Sequence, residues 1–587
     1  MLSFFFVNST FKQKLIMENS VQKGHPKGLY LLFVTEMWER FSYYGMRAIL
    51  FLFMTKALLF DTDFASGLYG NYTGLVYLTP LIGGYISDRY WGNRKSIFIG
   101  GIIMAIGQFM LFFSASSLGT SIAPLAFYVG LLSLIIGNGF FKPNISTMVN
   151  QLYAPGDKRV DGAFSIFYMG INLGAFFSPL VCGTLAEKID YKWGFFAAGV
   201  GMIIGVIVFE LLKNKYIVSA TGEVVGGKPQ PFVEEVKEKS ESTPFDFKRL
   251  AIWISAYAAL WILFMYGLGF NFVSTLIFAT SIAASGFVIT DPSLNKIERQ
   301  RIIVIYIIAF FVIFFWSAFE QAGASLTLFA DQQTDRTIFG WEMPASYFQS
   351  VNPLAIIVLA PVFAILWGFL GKRNIEPASP IKQAVGLFLL AIGYLIIAFG
   401  VQGIEGAAKT SMFWLLSMYF VHTMGELCLS PIGLSMVARL SPIRLGSLLM
   451  GIWFMSNAMA NDFAGMLSKL YPEKMVVVEQ VVDLETKYKL TLVDKKDNKI
   501  ENTEKINNVE KLPISSVKFD KIKDTKIKQT VYEELASKAV AKEKSLFGIK
   551  VNSLYSFFMV FVVMAGVAAV ILFLLSSKLL KMMNGIR

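Results

Sequence analysis

Cysteine, histidine and charge are all scarce in this chain of 587 residues. The 2 cysteines, Cys182 and Cys428, both lie in apolar runs. That excludes a disulfide framework and leaves them as small buried hydrophobes. With only 2 histidines, His25 and His422, a metal centre or a nucleophile–base pair has little to be built from. No enzyme, metal or cofactor is therefore expected. Charged residues make up 16% of the chain and hydrophobic ones 55%, which is too apolar for a soluble protein of this size. A signal-peptide core is also missing: the apolar run at 2–7 is too short for one, and Met17 is a second candidate start.

What the chain does have is a series of apolar runs long enough to cross a bilayer. They predict helices at 28–56, 66–88, 95–116, 122–150, 162–187, 191–213, 247–266, 268–290, 301–330, 348–371, 381–402, 411–439, 443–469 and 551–578. About fourteen spans put both termini on one side. Arg89, Arg94 and Lys95 follow the second span, Lys158 and Arg159 the fourth, Lys372 and Arg373 the tenth. The alternate loops carry Asp61, Asp63, Asp331, Asp335 and Glu342. Positive loops mark the cytoplasm, so both termini are expected inside, in an inner or plasma membrane. The same loops account for the net charge of +12 without nucleic acid as a partner. Lipid is the expected surroundings.

Two polar segments interrupt the pattern. Residues 214–246 read as a cytoplasmic linker and 471–549 as an insert on the outer face. The insert is rich in Lys but nearly balanced by Asp and Glu. Alternation from Tyr488 to Val493 hints at strands, so it reads either as a solvated loop or as a small β-rich module.

The first span carries charges that a bilayer makes expensive. Glu36, Glu39, Arg40, Tyr43, Tyr44 and Arg47 follow helical spacing and share one face. Phe33, Trp38, Met46 and Ile49 lie opposite, suited to lipid or packing. Two acids and an arginine on one stripe at that depth point to a cavity-facing functional site, and to ion-coupled transport. Arg47 and Lys142 are further cations within apolar helices. Asn172 and Asn352 can serve amide groups, Tyr77 adds a hydroxyl, and Trp316 and Trp453 offer apolar walls. His422, a lone histidine on a helix, reads as a satisfied core residue.

Glu36 to Gly45 (EMWERFSYYG) resembles the signature of the proton-dependent oligopeptide transporter family of the major facilitator superfamily, in its bacterial di- and tripeptide permease form. Further segments resemble the family in order: Gly83 to Lys95 (GGYISDRYWGNRK), Gly137 to Asn144 (GNGFFKPN), Phe164 to Ala175 (FSIFYMGINLGA), Phe315-Trp316 with Glu320-Gln321, and Gly425 to Ser435 (GELCLSPIGLS). The resemblance spans 28 to about 470 and the last helix. It implies an all-α fold of two six-helix bundles with two additional helices between them. The corresponding division is 1–27, a bundle at 28–213, the linker 214–246, the extra pair 247–290, helices 301–470, the insert 471–549 and a last helix in 551–587.

The resemblance also implies roles. Protons are the coupling ion, and Glu36, Glu39, Arg40, Lys142 and Glu320 couple them, with Lys142 paired to Glu320 as a gate. Arg47 and Lys142 hold a peptide carboxylate and Glu426 its amine. Tyr43, Tyr44, Tyr77, Asn172, Trp316, Glu320, Asn352, Trp453 and Asn457 complete the substrate site. Asp88, Arg89 and Arg94 control the cytoplasmic gate. A monomer importing di- and tripeptides with broad side-chain tolerance is expected. Asn457 stands where some relatives carry serine, and Phe319 where some carry an acid. The second helix has no histidine, so a proton sensor falls to a carboxylate. A carrier of another small zwitterion or anion is the nearest alternative. The insert lies outside the family core, leaving room for an unidentified partner there.

Overall fold

The computed structural model describes residues 24–154, 157, 159–219, 222–228, 246–403, 409–477 and 548–586, with short pieces between 491 and 546. Lys158, both candidate starts, much of 214–246 and most of 471–549 lie outside the described residues.

Lipid offers no water to an open backbone, so an apolar run that crosses it must close its hydrogen bonds internally as a helix. Fourteen long helices result among the described residues. They are α1 (Lys27–Leu52), α2 (Thr62–Leu78, continued by Pro80–Ile86), α3 (Asn93–Ser116), α4 (Ile122–Gln151) and α5 (Val160–Ser178, continued by Thr184–Lys188). Then come α6 (Tyr191–Tyr216), α7 (Phe247–Ile262), α8 (Phe272–Ile289), and α9 (Lys296–Phe319, continued by Ser325–Gln332). The last are α10 (Val351–Lys372), α11 (Ser379–Gly400), α12 (Met412–Leu440), α13 (Gly446–Ser468) and α14 (Leu554–Met582). Among the described residues 11 helices are long and apolar enough to span a membrane. Helices α1, α2 and α13 are the exceptions; α1 holds the buried charges, and Asn457, Asn461 and Asp462 lower the hydropathy of α13.

Local chemistry sets the starts. Asp61 accepts the amide of Asp63 at 3.0 Å and opens α2. Asn295 and Glu298 form a reciprocal capping box at the start of α9. Helices α1 to α6 pack on one another, as do α9 to α14, while α8 sits against α2 and α13. On α1, Phe33 meets Gly170 of α5, Trp38 meets Gly201 and Gly205 of α6, and Met46 and Ile49 are fully buried. That face is therefore used for packing, and its polar face turns toward the other bundle.

The bundles touch at one end and part at the other. At the touching end a Cβ on Gly70 would lie 2.7 Å from the Cα of Gly465, so α2 and α13 cross backbone to backbone. Ser66 donates to Ser468 at 3.2 Å, Lys56 to Asp331 at 2.7 Å, and Ser350 to the carbonyl of Phe176 at 2.8 Å. Glu187 accepts the amides of Ala345 and Ser346 at 2.7 and 2.9 Å. At the other end, Tyr168 and Leu434 are 40% and 39% exposed, and the space between the bundles is open.

Within the polar insert most of the described pieces are strands, while Val531, Glu534 and Leu535 are helical. Lys474–Val477 pairs antiparallel with Lys511–Pro513 and with Val540–Ala541, and Thr491–Leu492 with Val517–Lys518. Lys544–Leu546 and Ile549–Val551 form a hairpin that leads into α14. Of the two readings of the insert, these pairings favour the β-rich module. Residues 488–490 and 493 lie outside the described residues.

The Gly70–Gly465 crossing admits no side chain. Gly70→Val is expected to cost about 1–3 kcal/mol through overpacking. The check is a lower Tm in detergent, with Gly368→Val, a helical position on α10 with open space around it, as the control for a mere glycine replacement.

Candidate functional site

A cavity of about 300 Å³ lies between the bundles, within the size range of small-ligand sites. Both halves line it. The first bundle contributes Glu36, Arg40, Tyr44, Arg47, Tyr77, Lys142 and Asn172; the second contributes Trp316, Glu320, Asn352, Glu426, Trp453 and Asn457. Thus thirteen of the residues singled out in the sequence converge from eight helices, over a stretch of chain from 36 to 457.

The α1 stripe forms the first charge cluster. Arg40 Nε is 2.6 Å from Glu36 Oε1 and 2.9 Å from Glu39 Oε2. The second contact lacks the angle of a hydrogen bond, so both Glu39 oxygens and Oε2 of Glu36 have no hydrogen-bond partner among the described residues. Glu39 is fully buried behind Arg40 and does not line the cavity. One guanidinium therefore serves two carboxylates, and three of their four oxygens are left without a donor.

The second cluster joins the bundles. Arg47 makes an ion pair with Glu320, and its Nε donates to the hydroxyl of Tyr69 at 2.6 Å. Chain geometry at Glu320 permits this. Helix α9 stops at Phe319, and Glu320–Gly323 makes one 3-10 turn before the chain resumes as a helix. Gln321 donates to the carbonyls of Ser317 and Ala464, holding the break. Gly323 matters because a Cβ there would sit 1.7 Å from the Tyr69 hydroxyl and 3.1 Å from Arg47 Nε. With no side chain at 323, the break can close on α1 and α2.

This corrects one expectation. Glu320 is paired with Arg47 and not with Lys142. Lys142 lies on α4 toward the open end; its Nζ is 4.3 Å from the centre of the Tyr77 ring and makes no ion pair among the described residues. Arg47 lies toward the touching end, where Glu320 is within reach.

Glu426 is held differently. Its Oε2 accepts from Asn352 Nδ2 at 2.7 Å, and the same amide donates to Thr423 at 3.0 Å. No cation contacts it among the described residues, so its charge is open to a ligand. Asn172 spends its amide on the carbonyl of Tyr168 at 2.9 Å and keeps its oxygen free for a donor. Trp316 packs edge-on against Phe319 with ring centres 5.3 Å apart, forming an apolar wall.

Other expected members fall elsewhere. Tyr43 is buried, 5% exposed, and lies outside the cavity; one residue along a helix turns the side chain by roughly 100°, so it faces packing where Tyr44 faces the void. Arg94 does not reach the second bundle. It donates to the carbonyls of Val225 at 2.6 Å and Ile217, and to the side chain of Asn214 at 2.9 Å, fastening the segment after α6. Asp88 and Arg89 are exposed at the end of α2. His422 lines the cavity, but its Nε2 is 3.2 Å from the Leu390 carbonyl and it is 1% exposed, in keeping with a satisfied buried residue. Tyr168, Gln349 and Tyr419 also line the cavity, and Tyr69 supports Arg47; none was singled out from the sequence. Tyr69, Tyr72, Thr73 and Tyr77 repeat at helical spacing on α2, a pattern that would have flagged Tyr69.

Removing one partner of the Arg47–Glu320 pair strands a buried charge. Arg47→Ala is expected to destabilise by about 3–5 kcal/mol. The double variant Arg47→Met with Glu320→Leu should recover most of that loss in a thermal melt, because both charges are then gone.

Comparison with known proteins identifies the family. The sequence model of the POT family matches residues 94–233 and 250–484. The chain is 35% identical to the peptide transporter YePEPT of Yersinia enterocolitica, over 76% of this chain and 88% of that protein. It is 30% identical to dipeptide and tripeptide permease A of Salmonella typhimurium, over 78% of this chain and 87% of that one. Among solved structures it is similar to the peptide transporter POT in complex with sulfate, with a TM-score of 0.68, 30% identity and coverage of 96% and 97% of the two chains. Multi-pass helices, two bundles about one central cavity and the family match across both of them place this chain in the POT family of membrane transporters.

Proposed function

We propose that this protein is a proton-coupled symporter that imports di- and tripeptides by alternating access. The observation that carries the reading is the charge layout of the cavity. Of the carboxylates that line the cavity from the second bundle, Glu426 has no cation in contact among the described residues, while Arg47 and Lys142 stand on the first bundle. A short zwitterion has its amine and carboxylate at opposite ends, so it would bridge the two bundles. Its contacts would then differ between open and closed arrangements, which is what shifting a rocking equilibrium requires. The relatives named as peptide transporters support the same class of solute.

Proton coupling rests on the two carboxylate clusters. The unpartnered oxygens of Glu36 and Glu39 leave room for a proton beside Arg40. Across the cavity, a proton on Glu320 would release Arg47 to hold a substrate carboxylate. Lys142 would supply the second positive contact. Tyr44, Tyr77, Asn172 and Asn352 would address the peptide backbone, and Trp316, Trp453 and Asn457 would border its side chains. Recognition of termini and backbone predicts broad side-chain tolerance.

The charge of the short loops supports a cytoplasmic location for both termini. In that orientation the touching end faces outward and the cavity opens to the cytoplasm, where Asp88 and Arg89 lie. Glu187, Lys56 and Arg47 would then be the contacts that part when the outer side opens.

The test is uptake of labelled dialanine into liposomes under an inward proton gradient. Concentrative uptake that an ionophore abolishes is expected. Glu39→Gln should leave gradient-independent exchange or nothing. Glu426→Gln removes a charged contact worth about 1.5–3 kcal/mol, so kcat/KM should fall roughly 10- to 100-fold. Folded protein that takes up no di- or tripeptide would exclude the peptide reading in favour of another solute.

A further inference from the structure

The polar insert between α13 and α14 is not explained by the cavity. Its returning arm, however, makes one contact that no loop needs for solubility. Lys544 is only 8% exposed, although it is a lysine at the surface end of the molecule. Its Nζ lies 2.6 Å from Oδ1 of Asp63 and 3.7 Å from Oε2 of Glu473. Asp63 is in the first turn of α2, in the first bundle. Glu473 lies just before the strand that leaves α13, in the second. One ammonium thus sits between carboxylates of the two bundles, at the end where they touch.

The arm that carries Lys544 is anchored firmly on the second bundle. Lys544 pairs with Val551 in the hairpin that runs into α14, and Val551 is fully buried. A few residues earlier, Val540–Ala541 pairs with the strand that leaves α13, Lys474–Val477. Both ends of the insert are therefore laced together over the second bundle, and Lys544 is the side chain that reaches out of this lacing to the first. Ser66 and Gly70 on α2, and Ser468 and Gly465 on α13, lie within eight positions of Asp63 and Glu473 respectively. Parting α2 from α13 would carry Asp63 away from Lys544.

We propose that the hairpin of Lys544–Leu546 and Ile549–Val551 is a strap on this gate, with Lys544 as its buckle: the Lys544–Asp63 ion pair holds α2 against α13 and biases the bundles toward the arrangement closed at this end. A contact present in one arrangement and absent in the other shifts the population by its own free energy. Calling the strapped end external rests on the orientation proposed above; the strap itself does not.

The test uses the full chain with Cys182→Ala and Cys428→Ala, and a reporter pair Ser66→Cys with Ser468→Cys across the crossing. The rate of oxidant-driven disulfide formation, read by mobility on a gel, reports closure. Lys544→Ala and Asp63→Asn are each expected to slow it three- to tenfold, and Lys544→Arg, which keeps the charge, to leave it near the parent rate. Unchanged rates in Lys544→Ala and Asp63→Asn overturn the strap, even if the Tm falls, since a merely structural lysine would lower stability without opening the gate. If Lys544→Ala does not fold, Asp63→Asn decides alone, because it leaves the insert intact. The readout needs no substrate, so failure of peptide uptake would leave it standing.

Discussion

A guanidinium buried between two apolar bundles has to find a carboxylate, because the interior offers nothing else that offsets the loss of water. Arg47 finds Glu320, and much of the central architecture follows from that meeting. Helix α9 breaks for one turn so that Glu320 can face α1. Gly323 stays bare so that Tyr69 and Arg47 can approach the break. Gln321 donates to the carbonyl of Ser317 before the break and to that of Ala464 on α13, tying the two together. The pair also ties the first bundle to the second at the wall of the cavity, which both residues line.

Around that tie the polar groups are distributed unequally. Arg40 is shared by Glu36 and Glu39, whereas Glu426 has an amide and no cation. A cavity in which every charge was neutralised would bind nothing ionic well. Among the described residues Glu426 has no cation in contact, Lys142 makes no ion pair and Glu39 has no hydrogen-bond donor. In a low-dielectric site such imbalances are costly.

The touching end is closed by small, separate contacts: a glycine crossing, a serine pair, a carboxylate on two amides, and lysines at 56 and 544. They add to the packing of α2 against α13, where Tyr69, Tyr72, Val76, Ala458, Ala464 and Leu467 are buried.

Much of this was legible in the chain. The long apolar runs determined the helices and their order, because hydrocarbon allows no other backbone. The charges on α1 were legible as one face, because the i, i+3, i+4 repeat is fixed by helix geometry, and the convergence of Glu36, Arg40 and Arg47 with Glu426 was readable once the family resemblance was seen. Partner choice was not. Lys142 and Arg47 are equally cationic on paper, and only the tertiary positions of α4 and α1 relative to the break in α9 give Glu320 to Arg47. Tyr43 and Tyr44 have the same chemistry and adjacent numbers, and the rotation of α1 against α5 and α6 alone sends one into packing and the other into the cavity. Arg94 read as a gate by its place in a motif, yet folding brings the segment after α6 onto it. The role of Lys544 was hidden for the same reason: a lysine in a polar insert looks solvated until two bundles place carboxylates on either side of it. Local order is set by short-range periodicity and the solvent, so the sequence by itself determined it; which charges meet across hundreds of residues depends on how whole helices pack, and only the tertiary structure decided that.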